Sequence, residues 1–426
     1  MLEAPVIRVG ALRQRVEKAF VPGRAASPTT RGSVVIRPAG GADAVWLASG
    51  PLRWQGSPDS RAEATAALRA ALADYAGFPP GIDFGAGSPV ITGADVHVLE
   101  VASTAEQEVL CNLIREHVPL LIALTGRPSL RSAAPVGSHR LANSHVQVAA
   151  RYLDSTSPQH LARVTAELRR RDGIMAIDRM DVFPSVEADG TLTVTVGCID
   201  AAVSLAATRA HALLLAAFGV RARRLVRAGA RTANPDQALL EENRARAIAR
   251  GIRARLTLER RDQAADQQPA RVLARELLVD SLAVELDNLQ ATAAELFPLI
   301  ALLDLAESGV GRIDSEDALL SGWARTQGPH FSRIAADMLL DDRAGGPCLS
   351  TALQVAPGRT QVLLDEWAAA IARRRGVDAE GRAIAPRRGR PAKHTDQRQP
   401  GQNKPGQGGR PAQRKREPRA TPGGSA

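Results

Sequence analysis

The stretch TLTVTVGCIDA, residues 191–201, alternates apolar and small polar side chains, which is the pattern of a half-buried β-strand. One face carries Leu192, Val194, Val196 and Cys198. The other face carries Thr191, Thr193, Thr195, Gly197 and Ile199. An apolar helix is predicted directly after the strand, so this second face is expected to point into a cleft. It offers hydroxyl groups and a glycine, so either the chemistry of the cleft lies elsewhere in the chain or its charged groups have been lost.

Strands are sparse and early in the rest of the chain, and helices dominate its second half. Strands are predicted at residues 33–38, 44–54, 95–101 and 174–183. Helices are predicted at 60–76, 103–125, 158–171 and 201–218, with a charged helix from 238 that ends near Gly251. Ser60 with Glu63 and Ser103 with Glu106 have the spacing of capping boxes. The pattern predicts an α+β domain capped by a helical layer.

Composition excludes several classes of protein. Only 3% of the 426 residues are aromatic, so the core is expected to pack aliphatic side chains and to lack broad stacking surfaces. The three cysteines are far apart, which predicts neither a disulfide framework nor a zinc site and suits a reducing cytoplasm. Neither an export signal nor an apolar run of about 18 residues is present, so no membrane segment is expected.

The net charge of +10 is confined to the end of the chain. Residues 381–426 contain twelve Lys and Arg against Asp396 and Glu417, so residues 1–380 are neutral overall. The segment from residue 376 is low in complexity and predicts a disordered basic tail. Its sequence PRRGRPAK could enter a narrow A·T minor groove, or the tail could be a solubilising or RNA-binding segment.

Three segments carry a resemblance to a known family. They are VHVLEV…GSHR at 96–140, TLTVTVGCIDAAVSLAATRAHALLLAA at 191–217, and LLEENRARAIARGI at 239–252. In this order and spacing they resemble the bacterial carboxylate-amine ligases of the glutamate-cysteine ligase type, whose fold is that of glutamine synthetase. The resemblance implies a glutamine-synthetase-like antiparallel sheet with packed helices. It also implies ATP-dependent joining of a carboxylate, typically glutamate, to an amine, with ATP and magnesium as cofactors if the chain is active.

The matching positions provide candidate site residues. The resemblance implies substrate or nucleotide binding by His97, Ser138, Arg140 and Asn243. Asp95 and Asp200 are the candidates for catalysis, and no metal ligand is identified. Three of them have a structural alternative: a hydrogen-bonded strand residue for His97, a solvated side chain for Arg140 and a helix N-cap for Asp200. Around Asn243, an i,i+4 ion pair of Glu242 with Arg246 is favoured.

Departures from the family pattern affect the expected activity. The carboxylate and the arginine of the family strand fall on Thr195 and Gly197, and the last arginine of the helix motif falls on Ala249. The acidic N-terminal strand that holds magnesium in the family has GSVVIRPAGG as its nearest remnant, without an acid. Magnesium needs oxygen ligands, usually from Asp or Glu. The acids near the predicted strand 174–183 are interpreted as solvated turn residues: Asp178, Asp181, Glu187 and Asp189.

Four regions and three functions are therefore predicted. The regions are an N-terminal arm (1–32), a ligase-like α+β body (33–261), a helical C-terminal region (262–375) and a disordered basic tail (376–426). The first hypothesis is a cytoplasmic ligase homologue with weak or lost catalysis, which binds or regulates a partner such as an intact ligase paralogue. The second is an active ligase with a rearranged site. The third is a nucleic-acid-associated protein that acts through its tail.

Overall fold

The computed structural model describes residues 12–20, 30–31, 34–39, 44–48, 52–54, 94–126, 137–142, 144, 147–174, 176–200, 202, 205–258, 266–307, 362, 365–370 and 372. All of them belong to one compact unit, residues 1–384. The predicted helix at 60–76 and the basic tail lie outside the described residues.

An antiparallel sheet forms the centre of this unit. Its strands are β1 (Leu12–Phe20), β2 (Thr30–Arg31), β3 (Val34–Ala39), β4 (Ala44–Ala48), β5 (Leu52–Trp54), β6 (Ala94–Glu100), β7 (Val182–Val186) and β8 (Leu192–Val196). These eight described strands follow the spatial order β2-β3-β4-β1-β6-β8-β7, and β5 also pairs with β1. The predicted α+β class is confirmed, because helices pack on an antiparallel sheet.

The stretch at 191–201 contributes a central strand, as predicted. β8 lies between β6 and β7, with Thr195 opposite Val98 and Val196 opposite His97. Val194 and Val196 are fully buried in the hydrophobic core. Directly opposed residues share a face of an antiparallel sheet, so the threonines lie on the other face together with Val98.

The structure gives the bounds of eight α-helices. They are α1 (Thr104–Thr125), α2 (His139–Ala142), α3 (Pro158–Asp172), α4 (Leu205–Arg227), α5 (Gln237–Arg250), α6 (Ala270–Glu276), α7 (Ala283–Asn288) and α8 (Phe297–Glu307). At the start of α1 the Ser103 hydroxyl accepts from the Glu106 N–H, and the Glu106 carboxylate accepts from the Ala102 N–H, so the predicted N-terminal cap is present. None of the described helices has the length and the run of apolar residues that a bilayer crossing requires.

The position of β1 was not expected from the sequence. Residues 12–20 fall within the predicted N-terminal arm, yet they form the strand next to β6, with Glu17 opposite Val96. The segment interpreted as the remnant of the family's acidic strand forms β3, which β4 and β1 separate from β6. The position beside β6 therefore belongs to a strand that does contain an acid.

Three further boundaries differ from the predictions. The strand predicted at 174–183 is a 3₁₀ turn at Ile177–Arg179 followed by β7, because Pro184 and Val186 continue the strand pairing with β8. α4 begins at Leu205, four residues after the predicted start. A small second sheet pairs β9 (Arg255–Leu258), at the end of the predicted body, with β10 (Asp266–Pro269), at the start of the predicted helical region. These strands were not predicted, since both are only four residues long.

Candidate functional site

Asp200 is the first centre of a polar network just beyond the end of β8. Its carboxylate accepts from the Ser138 hydroxyl at 2.6 Å and from Arg140 Nε at 2.8 Å. Arg140 also donates to the carbonyl oxygens of Gly197 and Ile199, at 3.0 and 3.3 Å. The loop residues Ser138 and Arg140 and the separately proposed Asp200 therefore lie in direct contact.

Asp181, just before β7, is the second centre. It is fully buried and accepts from Arg244 on α5 through two bonds, Nε to Oδ2 at 2.5 Å and a terminal nitrogen to Oδ1 at 2.9 Å. Gln147 joins the two centres, since its amide nitrogen donates to Asp181 at 3.1 Å and its amide oxygen accepts from Arg140 at 2.8 Å. The interpretation of Asp181 as a solvated turn acid was wrong, because this carboxylate is the buried partner of an arginine.

The network is balanced in charge. Two carboxylates face two guanidinium groups, and only 18% of the Arg140 side chain and 14% of the Arg244 side chain are exposed. Burial disfavours the charged guanidinium of Arg244, but the adjacent Asp181 outweighs burial and raises its pKa. Arg244 therefore remains charged, and both arginines are bonded to protein groups.

Close backbone packing of glycines positions Ser138 and Arg140. A Cβ on Gly137 would lie 2.0 Å from the Gly251 nitrogen and 2.5 Å from the Ala247 carbonyl oxygen. Gly251 ends α5 with a φ of 54°, in the left-handed region that favours glycine. The Ser138 N–H then donates to the Ile248 carbonyl oxygen at 2.9 Å. The loop carrying Ser138 is thus fixed to the end of the helix that carries Arg244.

The hydroxyl face of β8 bonds to its neighbouring strand. The Ser185 hydroxyl of β7 lies 2.7 Å from the Thr193 hydroxyl and 3.1 Å from the Thr195 hydroxyl. A Cβ on Gly197 would lie 3.6 Å from the Gln147 amide nitrogen, an ordinary contact. Thr195 and Gly197 stand where the ligase resemblance implies a carboxylate and an arginine. Thr195 has a hydroxyl that is hydrogen-bonded to Ser185, and Gly197 has no side chain and lies beside Gln147.

The other proposed site residues are buried and contact the protein. The Asp95 carboxylate accepts from the Ala202 N–H at 3.2 Å and lies 3.3 Å from the Thr208 hydroxyl of α4. His97 is fully buried, with Nδ1 3.1 Å from the Gln14 side-chain nitrogen on β1. Asp95 meets the network around Asp200 through its backbone, because its N–H donates at 3.1 Å to the Ile199 carbonyl oxygen, which also accepts from Arg140.

Asn243 connects α5 to β9. Its amide nitrogen donates to the Thr257 carbonyl oxygen and its amide oxygen accepts from the Thr257 N–H, both at 2.8 Å. The predicted ion pair of Glu242 with Arg246 is confirmed, at 2.6 Å. Asp200 does not cap a helix, because α4 begins five residues later and Arg140 holds the carboxylate.

Sequence reasoning missed Asp181, Gln147 and the role of Arg244. Arg244 lies in the helix motif at 239–252. For that helix the sequence predicts only the ion pair of Glu242 with Arg246, which does not involve Arg244. Asp181 gave one usable signal: it directly precedes the apolar residues of β7, where a buried acid requires a cation. Nothing in the sequence pairs Asp181 with Arg244, since 63 positions separate them.

Magnesium does not fit the donor groups at this site. Magnesium requires several oxygen ligands around one point, whereas the oxygens of Asp181 and Asp200 already accept from Arg, Gln and Ser donors. Within the described ranges, no three His, Cys, Asp or Glu side chains are grouped to hold a metal ion.

Comparisons with known proteins give structural neighbours only. No family model matches the chain, and no curated protein sequence matches it. It is similar to the solved structure of glutamate–cysteine ligase from Francisella tularensis in complex with AMP, with 12% identity, a TM-score of 0.45, and coverage of 87% of this chain and 95% of that one. It is also similar to the ligase PafA in complex with the prokaryotic ubiquitin-like protein Pup, with 12% identity, a TM-score of 0.36, and coverage of 83% and 79%. At these values the likenesses assign no reaction to this chain.

Proposed function

We propose that this chain is a homologue of the carboxylate-amine ligases that has lost most or all catalysis and acts by binding or regulating a partner. One observation carries the proposal: the acids and arginines at the end of β8 neutralise one another. Asp200 is held by Arg140 and Ser138, and Asp181 is held by Arg244 and Gln147. A carboxylate that is paired with a guanidinium group is a poor metal ligand. A guanidinium group that is paired with a carboxylate is likewise unavailable to bind a phosphoryl group.

The chemistry of amide formation explains why this neutralisation matters. An acyl phosphate route places ATP phosphates beside a carboxylate substrate, so cations must offset the accumulated negative charge. Removing one donor that stabilises developing charge costs about 3–4 kcal/mol of transition-state stabilisation. The Thr195 hydroxyl is bonded to Ser185 and Gly197 has no side chain, so these two positions provide neither an anionic metal ligand nor a cation. The alternative of an active ligase with a rearranged site would require Asp200 and Arg140 to separate.

Phosphate release tests the loss of catalysis. The full chain is incubated with ATP, magnesium, glutamate and a series of amines, cysteine included, and inorganic phosphate is measured. The proposal predicts release no faster than in the protein-free blank. Magnesium-dependent release that disappears in an Asp200→Asn variant, while an exposed Asp189→Asn variant retains it, would support the active alternative.

The regulatory role requires its own measurement. An intact carboxylate-amine ligase from the same organism is assayed with and without a stoichiometric amount of this chain. The proposal predicts a change of at least about threefold in the kcat/KM of that ligase, equivalent to about 0.6 kcal/mol. An unchanged kcat/KM, together with no co-elution of the two proteins in gel filtration, would exclude this partner.

A second candidate function follows from the charge of the tail. Twelve basic residues against two acids in residues 381–426 favour weak binding to polyanions. Fluorescence anisotropy with a labelled DNA duplex and an RNA strand tests this at several salt concentrations. We expect a strong salt dependence that is lost in a full-length variant with glutamine at the twelve basic positions. Equal affinity of the two proteins would contradict a role for the tail.

A further inference from the structure

A cavity of about 600 Å³ lies between α1, α5, β9 and α6. Its size is within the range of small-molecule sites, about 300–1,000 Å³. The walls are mostly aliphatic and include Leu120, Leu240, Leu256, Leu273 and Leu277. Four of these leucines are buried, so the packing around the cavity is that of a protein core. Such walls match the apolar body of a ligand that has several carbons.

Charged groups of both signs surround this cavity. Two lining residues are acidic: Glu276 is exposed, and Glu116 is half-buried. Three guanidinium groups, those of Arg115, Arg221 and Arg246, donate to other lining residues. Neither sign of charge prevails around the cavity, and a charged head group that moves between the leucines loses its hydration. The surroundings therefore favour a ligand without a net charge.

Several polar groups of the walls already have protein partners. The Asn243 side chain exchanges two hydrogen bonds with the backbone of Thr257, both at 2.8 Å. The Thr257 hydroxyl accepts from Arg246, and the Asn234 amide oxygen accepts from Arg115 at 3.3 Å. These bonds hold α1, α5 and β9 together around the cavity. They also reduce the number of wall groups to which a ligand can bond.

His117, another lining residue, provides a neutral hydrogen-bond acceptor. Its Nδ1 lies 2.9 Å from the Leu113 carbonyl oxygen, and since a carbonyl only accepts, Nδ1 carries the proton. Burial lowers the pKa of His117 against the opposing effects of Glu116 and of the Leu113 bond, so the ring is neutral at pH 7. In that tautomer Nε2 has a lone pair, which none of the hydrogen bonds among the described residues uses. A hydroxyl group of a ligand can donate to this nitrogen.

We propose that this cavity binds a small neutral molecule, an aliphatic alcohol, whose hydroxyl group donates to Nε2 of His117. The leucines contact its carbon chain. The site is separate from the network of Asp200 and Asp181, since none of the residues lining the cavity belongs to that network. α5 contributes to both, because it provides Asn243 to the cavity wall and the next residue, Arg244, to Asp181. Binding in the cavity does not require the proposed loss of catalysis.

Four probes of similar size test the proposal by calorimetric titration of the full chain: 1-hexanol, its isomer 1-methoxypentane, hexylammonium and hexanoate. The isomer has the same atoms as hexanol but no O–H donor. Hexanol is expected to bind with one-to-one stoichiometry, at least about fivefold more tightly than the isomer and at least about tenfold more tightly than either ion. Equal binding of hexanol and its isomer, tighter binding of either ion, or no heat from hexanol up to about 10 mM would overturn the proposal.

Variants distinguish this cavity from nonspecific apolar binding. His117→Phe retains a ring but lacks the acceptor, and it is expected to bind hexanol no better than 1-methoxypentane. Ala233→Trp, at an exposed position on the cavity wall, should block both probes without disturbing the core, so it tests the cavity even if His117→Phe fails to fold. Asp189→Asn, at the exposed β7–β8 turn, should leave both affinities unchanged. An undiminished preference for hexanol in His117→Phe, or full binding in Ala233→Trp, would contradict the assignment.

Discussion

Arg244 and Asp181 form a two-point ion pair between α5 and the start of β7, with the Asp181 side chain fully buried. The pair fixes a helix to the edge of the sheet across 63 residues of sequence. It also keeps this carboxylate from metal binding, because both of its oxygens accept hydrogen bonds from Arg244.

Removal of Arg244 should strongly destabilise the protein. Arg244→Met leaves the carboxylate of Asp181 buried without its main partner, and we expect the free energy of unfolding to fall by about 3–5 kcal/mol. Denaturant titration followed by circular dichroism measures the loss. Glu242→Gln on the same helix is the control, since that exposed pair is expected to contribute less than about 1 kcal/mol. Equal effects of the two substitutions would contradict the assignment.

The glycines near the network should respond very differently to alanine. Gly137→Ala places a Cβ 2.0 Å from the backbone of Gly251, so the loop with Ser138 and Arg140 must move. We expect a loss of at least about 3 kcal/mol in the free energy of unfolding, or failure to fold. Gly197→Ala meets only Gln147, at 3.6 Å, and should cost less than about 1 kcal/mol. A tolerated Gly137→Ala would show that the close approach is not required.

Asn243 should matter for stability. Its two hydrogen bonds to Thr257 are buried, so Asn243→Ala leaves a backbone N–H and a carbonyl oxygen unsatisfied. We expect the free energy of unfolding to fall by about 2–4 kcal/mol, measured by thermal or denaturant unfolding. If Asn243 served only a ligand, the variant would unfold like the wild type, and this outcome would restore the role implied by the family resemblance.

Acid should destabilise the fold through His117. Its pKa is lowered by burial, so the unfolded chain binds this proton more readily, and stability is lost as the pH falls from about 6.5 towards the folded pKa. The facing groups are Glu116, which opposes the shift, and Arg221, which adds to it. The melting temperature between pH 7 and pH 5 should fall less in His117→Gln than in the wild type. Parallel curves would contradict the assignment.

The sequence predicts the middle of the sheet well, because local patterns determine it. The alternation around Val194 and Val196 predicted the strand, and the Ser103 cap predicted the start of α1. The expectation that the threonine face points into a cleft was wrong, because Thr193 and Thr195 are buried as well. The quoted loop containing Ser138 and Arg140 identified one half of the polar network. Each of these predictions uses residues that are close together in the chain.

Long-range pairings account for what the sequence did not predict. Asp181 was interpreted as a solvated acid because its partner lies on another element, and Gln147 has no pattern that marks it as a bridge. Residues 12–20 were assigned to an arm because a segment rich in Pro, Gly, Ser and Thr follows them, yet pairing with both β4 and β6 places β1 inside the sheet. Such pairings depend on tertiary packing, which local propensity does not specify.

Calorimetric titration of the full chain with ATP, in the presence and absence of magnesium, tests the central claim most directly. If the acids and arginines beyond β8 neutralise one another, magnesium should produce no additional binding up to about 1 mM nucleotide. Magnesium-dependent binding below that concentration, weakened at least about tenfold by Asp200→Asn or by Glu17→Gln on β1, would contradict the account.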